Sequence, residues 1–334
     1  MSSRKSFIDV AKGIGIILVV LGHLDADGQI SRSLIYSFHM PLFFMLSGVF
    51  SNTKTDFVEY LKKNFLALYL PYFIFVLVDA AACVLLNGQS ISFVAYDKLK
   101  ELAGIGFGAL NRPIWFLFAL FIIKISYYFI SKAKALKIAA VLIGIVFVFL
   151  NGTFLSYRPD FLWLVSVPCL SFYALGDIFK EEILEIDFKI QKRRPLFAAL
   201  TVALLALLTV SANANICVDM TMYKYGNTAL FFANALVGCF AIFALSVLLS
   251  EIRPVERALT FYGQNSVIVM VCHYYFCRRI LPTLMEKLSL SQYLYSAPTQ
   301  IIVLLLSLLA LVPIILFSNR YLGFVFGKFK KRVI

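Results

Sequence analysis

Residues 7–24 read FIDVAKGIGIILVVLGHL, an apolar run interrupted by only three ionisable residues. A membrane-spanning helix needs about 20 mostly apolar residues, so this run is long enough to cross a bilayer. A cleaved signal peptide is the alternative, because two basic residues precede the run. The residues that follow it, LDAD at 24–27, lack a small-x-small cleavage site. We therefore predict that residues 7–24 form the first membrane-spanning helix.

Nine similar stretches follow, separated by charge-rich or turn-rich breaks. The chain has 334 residues, of which 61% are hydrophobic and only 15% are charged. A soluble domain carries about 25% charged residues, so the composition is that of a membrane protein and excludes disordered and small disulfide-stapled classes. We predict an all-α integral membrane protein with one transmembrane domain over residues 1–334 and no appended soluble domain. The ten predicted spans lie near 7–24, 34–50, 65–87, 113–130, 136–151, 161–179, 196–212, 227–250, 265–281 and 298–320.

The net charge of +13 would ordinarily suggest nucleic acid or another acidic partner. In a membrane protein, Lys and Arg instead collect in cytoplasmic loops and set the orientation. Ten spans place both termini on one side, and the loops on that side hold roughly twice as many basic residues as the others. We therefore predict cytoplasmic termini and no nucleic-acid partner. The six cysteines have no metal-type spacing, so we predict core hydrophobes and no metal site.

Ionisable residues at bilayer depth are informative, since each costs roughly 2.5–3.5 kcal/mol at a helix centre. Lys12 and His23 are eleven residues apart, which places them on one face of the first helix and roughly 16 Å apart along its axis. Asp9, one turn before Lys12, is a possible supporting residue. The same spacing has an explanation that involves no catalysis. Lys12 would then extend its ammonium to the lipid headgroups, and His23 would lie at the opposite membrane interface.

His39 opens the second stretch, FHMPLFFMLSG at 38–48, in which Pro41 suits the first turn of a helix. A connection of only 15 residues joins this stretch to His23. We therefore expect both histidines at one membrane face, where they could share one cavity. A lone histidine there is more often interfacial, but two that converge can move a proton, because the pKa of imidazole is close to neutral.

Further polar groups lie near the ends of later spans. Arg112 and Trp115 are predicted at the outer mouth of the fourth span, where an aromatic belt would explain Trp115 without a functional role. Asn265 and Ser266 are predicted to cap the ninth span, and His273 shares a helical face with Ser266. These five residues are possible supporting groups, although His273 could also pack silently beside its neighbouring tyrosines.

Several motifs carry a resemblance to a known family. The specific ones are FIDVAKGIGIILVVLGH at 7–23, SFHMPLFF at 37–44 and LSG at 46–48. Weaker ones are LPY at 70–72, WFL at 115–117 and GQNS at 263–266 followed by His273. With these motifs and ten spans, the chain resembles the acyltransferase family 3 membrane proteins along its whole length. It is most similar to their fucose 4-O-acetylase type.

The resemblance implies transfer of an acyl group, commonly acetyl, from cytoplasmic acyl-CoA to the hydroxyl of a glycan or lipid-linked sugar at the outer face. It implies a multi-pass protein of the bacterial inner (cell) membrane, with acyl-CoA as a donor substrate and no permanently bound cofactor. His23 is implied as general base or transient acyl carrier, and His39 as a group that orients it or stabilises the oxyanion. Lys12, where the family has Arg, is implied to bind the donor as a point charge. Members of the family often have a basic residue just upstream of the position of Pro71. This chain has the apolar residues FLAL at 65–68 there, and Lys62 and Lys63 could substitute for the missing charge.

Two other classes also fit the sequence. A transporter or flippase for a glycan or lipid-linked substrate would have ten spans and buried charges too, although the chain shows no strong internal repeat. A membrane scaffold without chemistry would leave the insertion cost of Asp9, Lys12 and His23 unexplained. One tunnel from Lys12 to the histidines would favour the enzyme, whereas two alternating cavities would favour transport.

Overall fold

The computed structural model describes residues 5–24, 30–106, 112–153, 161–287 and 297–326. Across these ranges the chain is helical, and its strand-like features are limited to two isolated bridges, Ile105–Phe161 and Asp219–Lys224. The α-helices are α1 (Ser6–Leu24), α2 (Ile30–Val49), α3 (Phe57–Asn64), α4 (Leu70–Asn87), α5 (Ile91–Leu102), α6 (Trp115–Ile130), α7 (Lys134–Thr153), α8 (Leu162–Ile178), α9 (Lys180–Leu184), α10 (Ile186–Lys192), α11 (Arg194–Asn213), α12 (Thr228–Leu249), α13 (Arg253–Gln264), α14 (Ser266–Tyr275), α15 (Leu281–Lys287) and α16 (Ala297–Tyr321). Two π-helical turns, Phe65–Tyr69 and Phe276–Ile280, join α3 to α4 and α14 to α15.

Seven helical segments of the described chain are long and apolar enough to cross a membrane, judged by length and composition. They are Ser6–Leu24, Phe57–Asn87, Arg112–Ile130, Lys134–Asn151, Arg194–Asn213, Thr228–Leu249 and Thr299–Tyr321. The apolar helices α8 and α14 are shorter, and α2 covers the second predicted stretch. The prediction of an all-helical protein with several apolar helices is confirmed. The count of ten spans and the cytoplasmic termini stay predictions.

Helix α1 lies inside the bundle, whereas α7 and α11 lie at its edge. The apolar segment of α1 is 67% buried, compared with 22% for α7 and 17% for α11. Helices α2, α12, α13, α14 and α16 all contact α1. A polar side chain on α1 can therefore face protein instead of lipid, as polar residues inside membranes almost always do. The helix that carries Lys12 and His23 is the one best placed to hold a site.

Helices α2 and α8 approach each other closely at two glycines. A Cβ on Gly48 would collide with the carbonyl oxygen of Tyr173, and a Cβ on Gly176 would collide with that of Met45. Small residues at helix interfaces permit such backbone contact, and tight packing is a main source of helix association in lipid. The pair of glycines therefore holds α2, which carries His39, against α8.

Replacing Gly176 with valine should lower the thermal midpoint of the detergent-solubilised protein, because α8 would have to move away from the Met45 carbonyl. Overpacking of a tight interior typically costs about 1–3 kcal/mol. The matched control Ala203→Val adds bulk on the exposed face of α11 and should leave the midpoint nearly unchanged. Equal midpoints for the two variants would contradict the importance of this contact.

Helix α2 begins earlier than the sequence predicted. Pro41 was expected in the first turn of the second span, but α2 begins at Ile30 and contains Pro41 in its interior. That prediction was wrong, because proline inside a membrane helix is tolerated when neighbouring groups satisfy the backbone carbonyl that loses its partner. His39 consequently lies nine residues into α2, roughly 14 Å from its first residue.

The ninth predicted span also differs from expectation. It was predicted to end near residue 281, just after Arg278 and Arg279, but the backbone stays helical through the π turn and α15 as far as Lys287. The side chains of these two arginines lie outside the described part of the structure. A π turn changes the helical register without breaking the helix, so charged residues in this segment did not have to end it.

The cysteines are free thiols in the structure. Four of the six are buried, and Cys217 and Cys272 are partly buried. The prediction that they are small core hydrophobes is confirmed for the buried four, which are Cys83, Cys169, Cys239 and Cys277.

Helix α5 is amphipathic with its charges turned inward. Lys98 and Glu101 are buried, at 4% and 2% exposure, whereas Leu99 is 67% exposed. The Nζ of Lys98 is paired with Asp79 of α4 and lies 2.8 Å from Oε2 of Glu101. The hydroxyl of Tyr275, at the end of α14, donates to the other oxygen of Asp79 over 3.5 Å. A buried cluster of charges therefore connects α4, α5 and α14, while apolar side chains of α5 face outward.

Candidate active site

A cavity lies between α1, α2, α14 and the segments that precede α6 and α12. It holds about 1070 Å³ of empty space, including its open mouth. Five of the nine residues singled out from the sequence line it, namely His23, His39, Arg112, Trp115 and Ser266. The structure thus brings both predicted catalytic histidines to one cavity, although it assigns neither of them a role.

His23 is surrounded by aromatic side chains at the end of α1. Its Nδ1 lies 3.4 Å from the hydroxyl oxygen of Tyr36. The ring of Tyr274 stands edge-on to the imidazole at a centroid distance of 5.3 Å. The ring of His273 lies 5.2 Å away on a tilted plane. These contacts restrict the orientation of the His23 imidazole, which is a requirement for any group that transfers a proton.

His39 is buried in α2, with 5% of its surface exposed. Its Nδ1 lies 2.8 Å from the carbonyl oxygen of Ile35. Because a carbonyl oxygen only accepts hydrogen bonds, Nδ1 must carry the proton, and Nε2 of the neutral ring is an acceptor. The ring of Tyr36 is 4.9 Å from that of His39. Tyr36 therefore contacts both histidines of the cavity.

His273 is completely buried beside His23 and does not line the cavity. Its Nδ1 lies 2.9 Å from the carbonyl oxygen of Val269, so this nitrogen also carries a proton. Its Nε2 has no hydrogen-bond partner among the residues that the structure describes. The neighbours of His273 thus include the candidate catalytic ring itself, in addition to the adjacent Tyr274.

Trp115 and Arg112 occupy the wall and the rim of the cavity. Trp115 is only 8% exposed, and its ring lies 6.2 Å from that of Phe44 and 6.4 Å from that of Phe116. An aromatic-belt residue would face the lipid headgroups, so the burial of Trp115 favours a place in the cavity wall. Arg112 is exposed at the start of the 3-10 turn Arg112–Ile114 that leads into α6.

Several polar residues of the cavity were missed by the sequence reasoning. These are Arg32, Tyr36, Asp219 and Thr221. The guanidinium of Arg32 lies 5.0 Å from the centre of the Tyr36 ring. Asp219 accepts hydrogen bonds from the backbone N–H and the hydroxyl of Thr221, which fixes its carboxylate in the turn Met220–Met222. Arg32, Tyr36 and His39 recur at helical spacing, but Arg32 lies before the predicted second span at 34–50, which hid this pattern.

Lys12 and Asp9 lie away from the cavity, towards the other end of α1. The two side chains are 3.9 Å apart, and the Lys12 ammonium lies 5.3 Å from the centre of the Phe50 ring. Asp9 is 2% exposed and accepts a hydrogen bond of 3.2 Å from Gln264 of α13. Lys12 is partly exposed, at 28% of its side chain. The structure therefore separates the predicted donor-binding residue from the predicted catalytic pair.

The lining of the cavity begins at Ile16, one turn beyond Lys12 on α1. Beside Lys12, a Cβ on Gly13 would collide with the carbonyl oxygen of Leu259. Helix α13 thus occupies the space that the small residue leaves open. The lining of this cavity does not include Lys12, so it does not supply the tunnel from Lys12 to His23 that would favour the enzyme.

Asn265 does not cap α14 as the sequence predicted. Its side chain makes no capping hydrogen bond, because its Nδ2 donates to the carbonyl oxygen of Phe261 over 2.7 Å. Its Oδ1 accepts from Nδ2 of Asn319 over 2.9 Å. Asn265 therefore joins the end of α13 to α16, and only its neighbour Ser266 reaches the cavity.

These features define a class of protein. The apolar helices are those of a multi-pass membrane protein, and two imidazoles beside one tyrosine can exchange protons with a bound substrate. The family model described as an acyltransferase domain matches residues 5–326. The chain therefore belongs to acyltransferase family 3.

One curated relative is the nodulation protein NolL of Mesorhizobium japonicum. It is 28% identical to the chain over 198 residues, which is 54% of this chain and 49% of the relative. The matched region therefore spans about half the length of that relative. No solved structure matches the chain significantly.

Proposed function

We propose that this protein is an O-acyltransferase that moves an acetyl or other short acyl group from cytoplasmic acyl-CoA to a carbohydrate hydroxyl at the outer membrane face. The sequence motifs suggest the fucose 4-O-acetylase type of the family as a functional parallel. The observation that carries this proposal is the single cavity in which His23 and His39 both contact Tyr36. Family membership supplies the class of reaction.

The proposed chemistry is attack of a sugar hydroxyl on the thioester of the donor. His23 takes the hydroxyl proton as general base, the sugar oxygen bonds to the acyl carbon, and the carbon–sulfur bond breaks. The departing thiolate of CoA then takes this proton from His23. Each step balances, because one proton leaves the acceptor oxygen and one proton arrives at the departing sulfur.

The hydrogen bond of His39 limits what this residue can do. Since Nδ1 donates to Ile35, neutral His39 offers only a lone pair at Nε2 and cannot donate to an oxyanion. Orienting His23, through the Tyr36 side chain that contacts both rings, is therefore the better of the two roles implied for it. The Tyr36 hydroxyl, which lies beside His23, is the neutral donor available for the developing negative charge.

Lys12 is proposed to bind the phosphate groups of the donor. Its distance from His23 along α1, roughly 16 Å, is similar to the reach of the long arm of an acyl-CoA. Because α1 and α13 are in direct contact at Gly13 and Leu259, the arm would have to pass along another side of α1. In this arrangement the N-terminal side faces the cytoplasm of a bacterium, and the cavity with the histidines faces the acceptor.

The protein in liposomes, supplied with labelled acetyl-CoA and candidate glycans, should transfer label to at least one glycan. Replacing Lys12 with methionine should raise the KM for acetyl-CoA about tenfold, because one charge-assisted contact to phosphate is lost. Lys12→Arg should preserve the KM, since the charge is kept and a bidentate fork is added.

The exposed lysine Lys54, on the same side of the protein, provides the matched control. Lys54→Met should leave the KM within twofold of the wild type, because the side chain of this residue is exposed on the surface. Absence of label in every glycan would refute the proposed function. A KM unaffected by Lys12→Met would refute the role of Lys12 alone.

A further inference from the structure

His273 is a buried polar residue of the apolar helix α14, and the proposed chemistry gives it no part. It has 0% of its surface exposed, and its Nδ1 donates a hydrogen bond of 2.9 Å to the carbonyl oxygen of Val269. Its Nε2 has no hydrogen-bond partner among the residues that the structure describes. Buried polar atoms are almost always hydrogen-bonded, because an unpaired one loses its bonds to water without replacement. The unpaired nitrogen of His273 therefore requires an explanation.

The hydrogen bond to Val269 fixes both the orientation and the chemistry of the His273 ring. Since Nδ1 carries the proton, Nε2 of the neutral ring has a lone pair and can only accept a hydrogen bond. Nε2 also points away from the turn of α14 that contains Val269. Helix α14 packs against α1. The donor that Nε2 lacks therefore has to come from outside this turn of α14.

The side chain best placed to supply this donor is His23 of α1. The centres of the two imidazole rings are 5.2 Å apart, and their planes are tilted by 37°. Both nitrogens of an imidazole are members of the ring, so a small rotation of the His23 ring can bring one N–H within hydrogen-bond reach of Nε2. The ring of Tyr274 is farther from that of His273, at a centroid distance of 6.4 Å.

The two nitrogens of His23 face different surroundings. Nδ1 lies 3.4 Å from the hydroxyl oxygen of Tyr36, which lines the cavity. His273 contacts His23 but does not line the cavity, so it lies behind this part of the cavity wall. Nδ1 of His23 is thus the nitrogen on the substrate side, and Nε2 of His23 is the nitrogen that can address His273. A histidine held in this way carries its proton on the buried nitrogen and its lone pair towards the substrate.

We propose that His273 is a positioning residue for the general base, and that its Nε2 accepts a hydrogen bond from Nε2–H of His23 during the reaction. This inference rests on the proposed function and gives the buried ring a role in it. The sugar hydroxyl gives its proton to Nδ1 of His23, and the thiolate of CoA later takes that proton. The hydrogen on Nε2 of His23 stays bonded to His23 throughout. While His23 is an imidazolium, this N–H is a charged donor, and hydrogen bonds from charged donors are about twice as strong as neutral ones. His273 thereby stabilises the charge that develops on the base.

The test compares two variants by single-turnover transfer of labelled acetyl groups in liposomes. His273→Phe keeps a ring but removes the acceptor, and it should lower kcat about 30-fold, as expected for the loss of one hydrogen bond to a charged group. The KM for acetyl-CoA should stay within twofold of the wild type, because His273 does not line the cavity. His273→Gln places an amide oxygen near the position of Nε2 and should recover kcat to within about fivefold of the wild type. An unchanged kcat in His273→Phe, or a His273→Gln variant as slow as His273→Phe, would overturn the proposal.

Two controls separate positioning from packing. Ile268 is buried on the same helix and does not line the cavity, so Ile268→Val disturbs the packing of α14 and should keep kcat within twofold of the wild type. The second control combines His273→Phe with His23→Ala. In that background His273→Phe should lower the residual rate less than twofold, because a positioning residue acts only through the base that it holds. A further loss of about 30-fold in the His23→Ala background would contradict the proposed role.

The thermal midpoint in detergent is measured for every variant. If His273→Phe fails to fold, His273→Leu, which is smaller and also lacks an acceptor, takes its place in the comparison with His273→Gln. Failure of the proposed function is distinguishable, because the wild type would then transfer label to no glycan, and this result would overturn the role of His273 as well. Failure of the role of His273 alone would appear as an active wild type whose kcat is retained by the variant without an acceptor.

Discussion

Replacing His23 with alanine is expected to lower the rate of acyl transfer by about 10³-fold or more, while the protein still inserts into the membrane and folds. A positioned general base contributes roughly 10²–10⁴ to a rate, and the alanine variant has no group at that place to accept the hydroxyl proton. The measurement is single-turnover transfer of labelled acetyl groups in liposomes. Loss should appear in kcat, with the affinity for coenzyme A unchanged, because the proposed binding site for the donor phosphates at Lys12 lies about 16 Å away.

Two controls separate chemistry from packing in this variant. Leu18→Ala also truncates a side chain of α1. Leu18 packs against a hydrophobic cluster other than the one beside the cavity, and it does not line the cavity. This variant should retain nearly the wild-type kcat. Imidazole added to the His23→Ala protein should restore part of the rate, which a purely structural role would not predict. Wild-type turnover by His23→Ala would eliminate His23 as the base.

Replacing Lys98 with methionine is expected to cause the largest loss of stability, about 3–5 kcal/mol, because it leaves two buried carboxylates without their cation. Burial by itself would lower the pKa of Lys98, but the hydrogen bonds and attraction of Asp79 and Glu101 outweigh it and raise that pKa above its usual value. The lysine is thus held charged by its two partners. The thermal midpoint in detergent should fall by several degrees.

The neighbouring Lys100 provides a matched control on the same helix. Its ammonium lies 4.3 Å from the centre of the Tyr96 ring, and the residue is exposed. Lys100→Met should change stability by less than about 0.5 kcal/mol. Removing all three charges together, as Lys98→Met with Asp79→Leu and Glu101→Leu, should recover most of the lost stability. Equal midpoints for Lys98→Met and Lys100→Met would show that the buried cluster does not stabilise the fold.

The helical and membrane character of the protein was predictable because hydrophobicity is a local property of the chain. In lipid, the backbone N–H and C=O groups of a run such as residues 7–24 can be hydrogen-bonded only within the helix that the run itself forms. The helical conformation therefore follows from the apolar composition. The placement of Lys12 and His23 on one helix also followed from spacing alone. The start of α2 did not, because Pro41 is a strong local signal whose cost depends on the neighbouring helices.

The site itself was only partly predictable. His23 and His39 were identified from their chemistry, and their shared cavity followed from the short connection between them. Arg32 was missed because it lies in the part of α2 that extends back to Ile30, and Tyr36 because its contacts with both histidines depend on how α1 and α2 pack. Asp219 was missed because it reaches the cavity from a segment almost 200 residues away in sequence.

The amino-acid sequence by itself determined the class of the protein, its apolar helices and the residue types able to transfer protons and bind phosphate. Only the tertiary structure decided that α13 closes the space beside Gly13, that Lys98 turns inward to Asp79, and that Lys12 lies outside the histidine cavity. The physical reason is the range of the interactions. The free energy of transferring a side chain into lipid depends on that residue alone. Helix packing and the pairing of charges depend on which distant helices become neighbours.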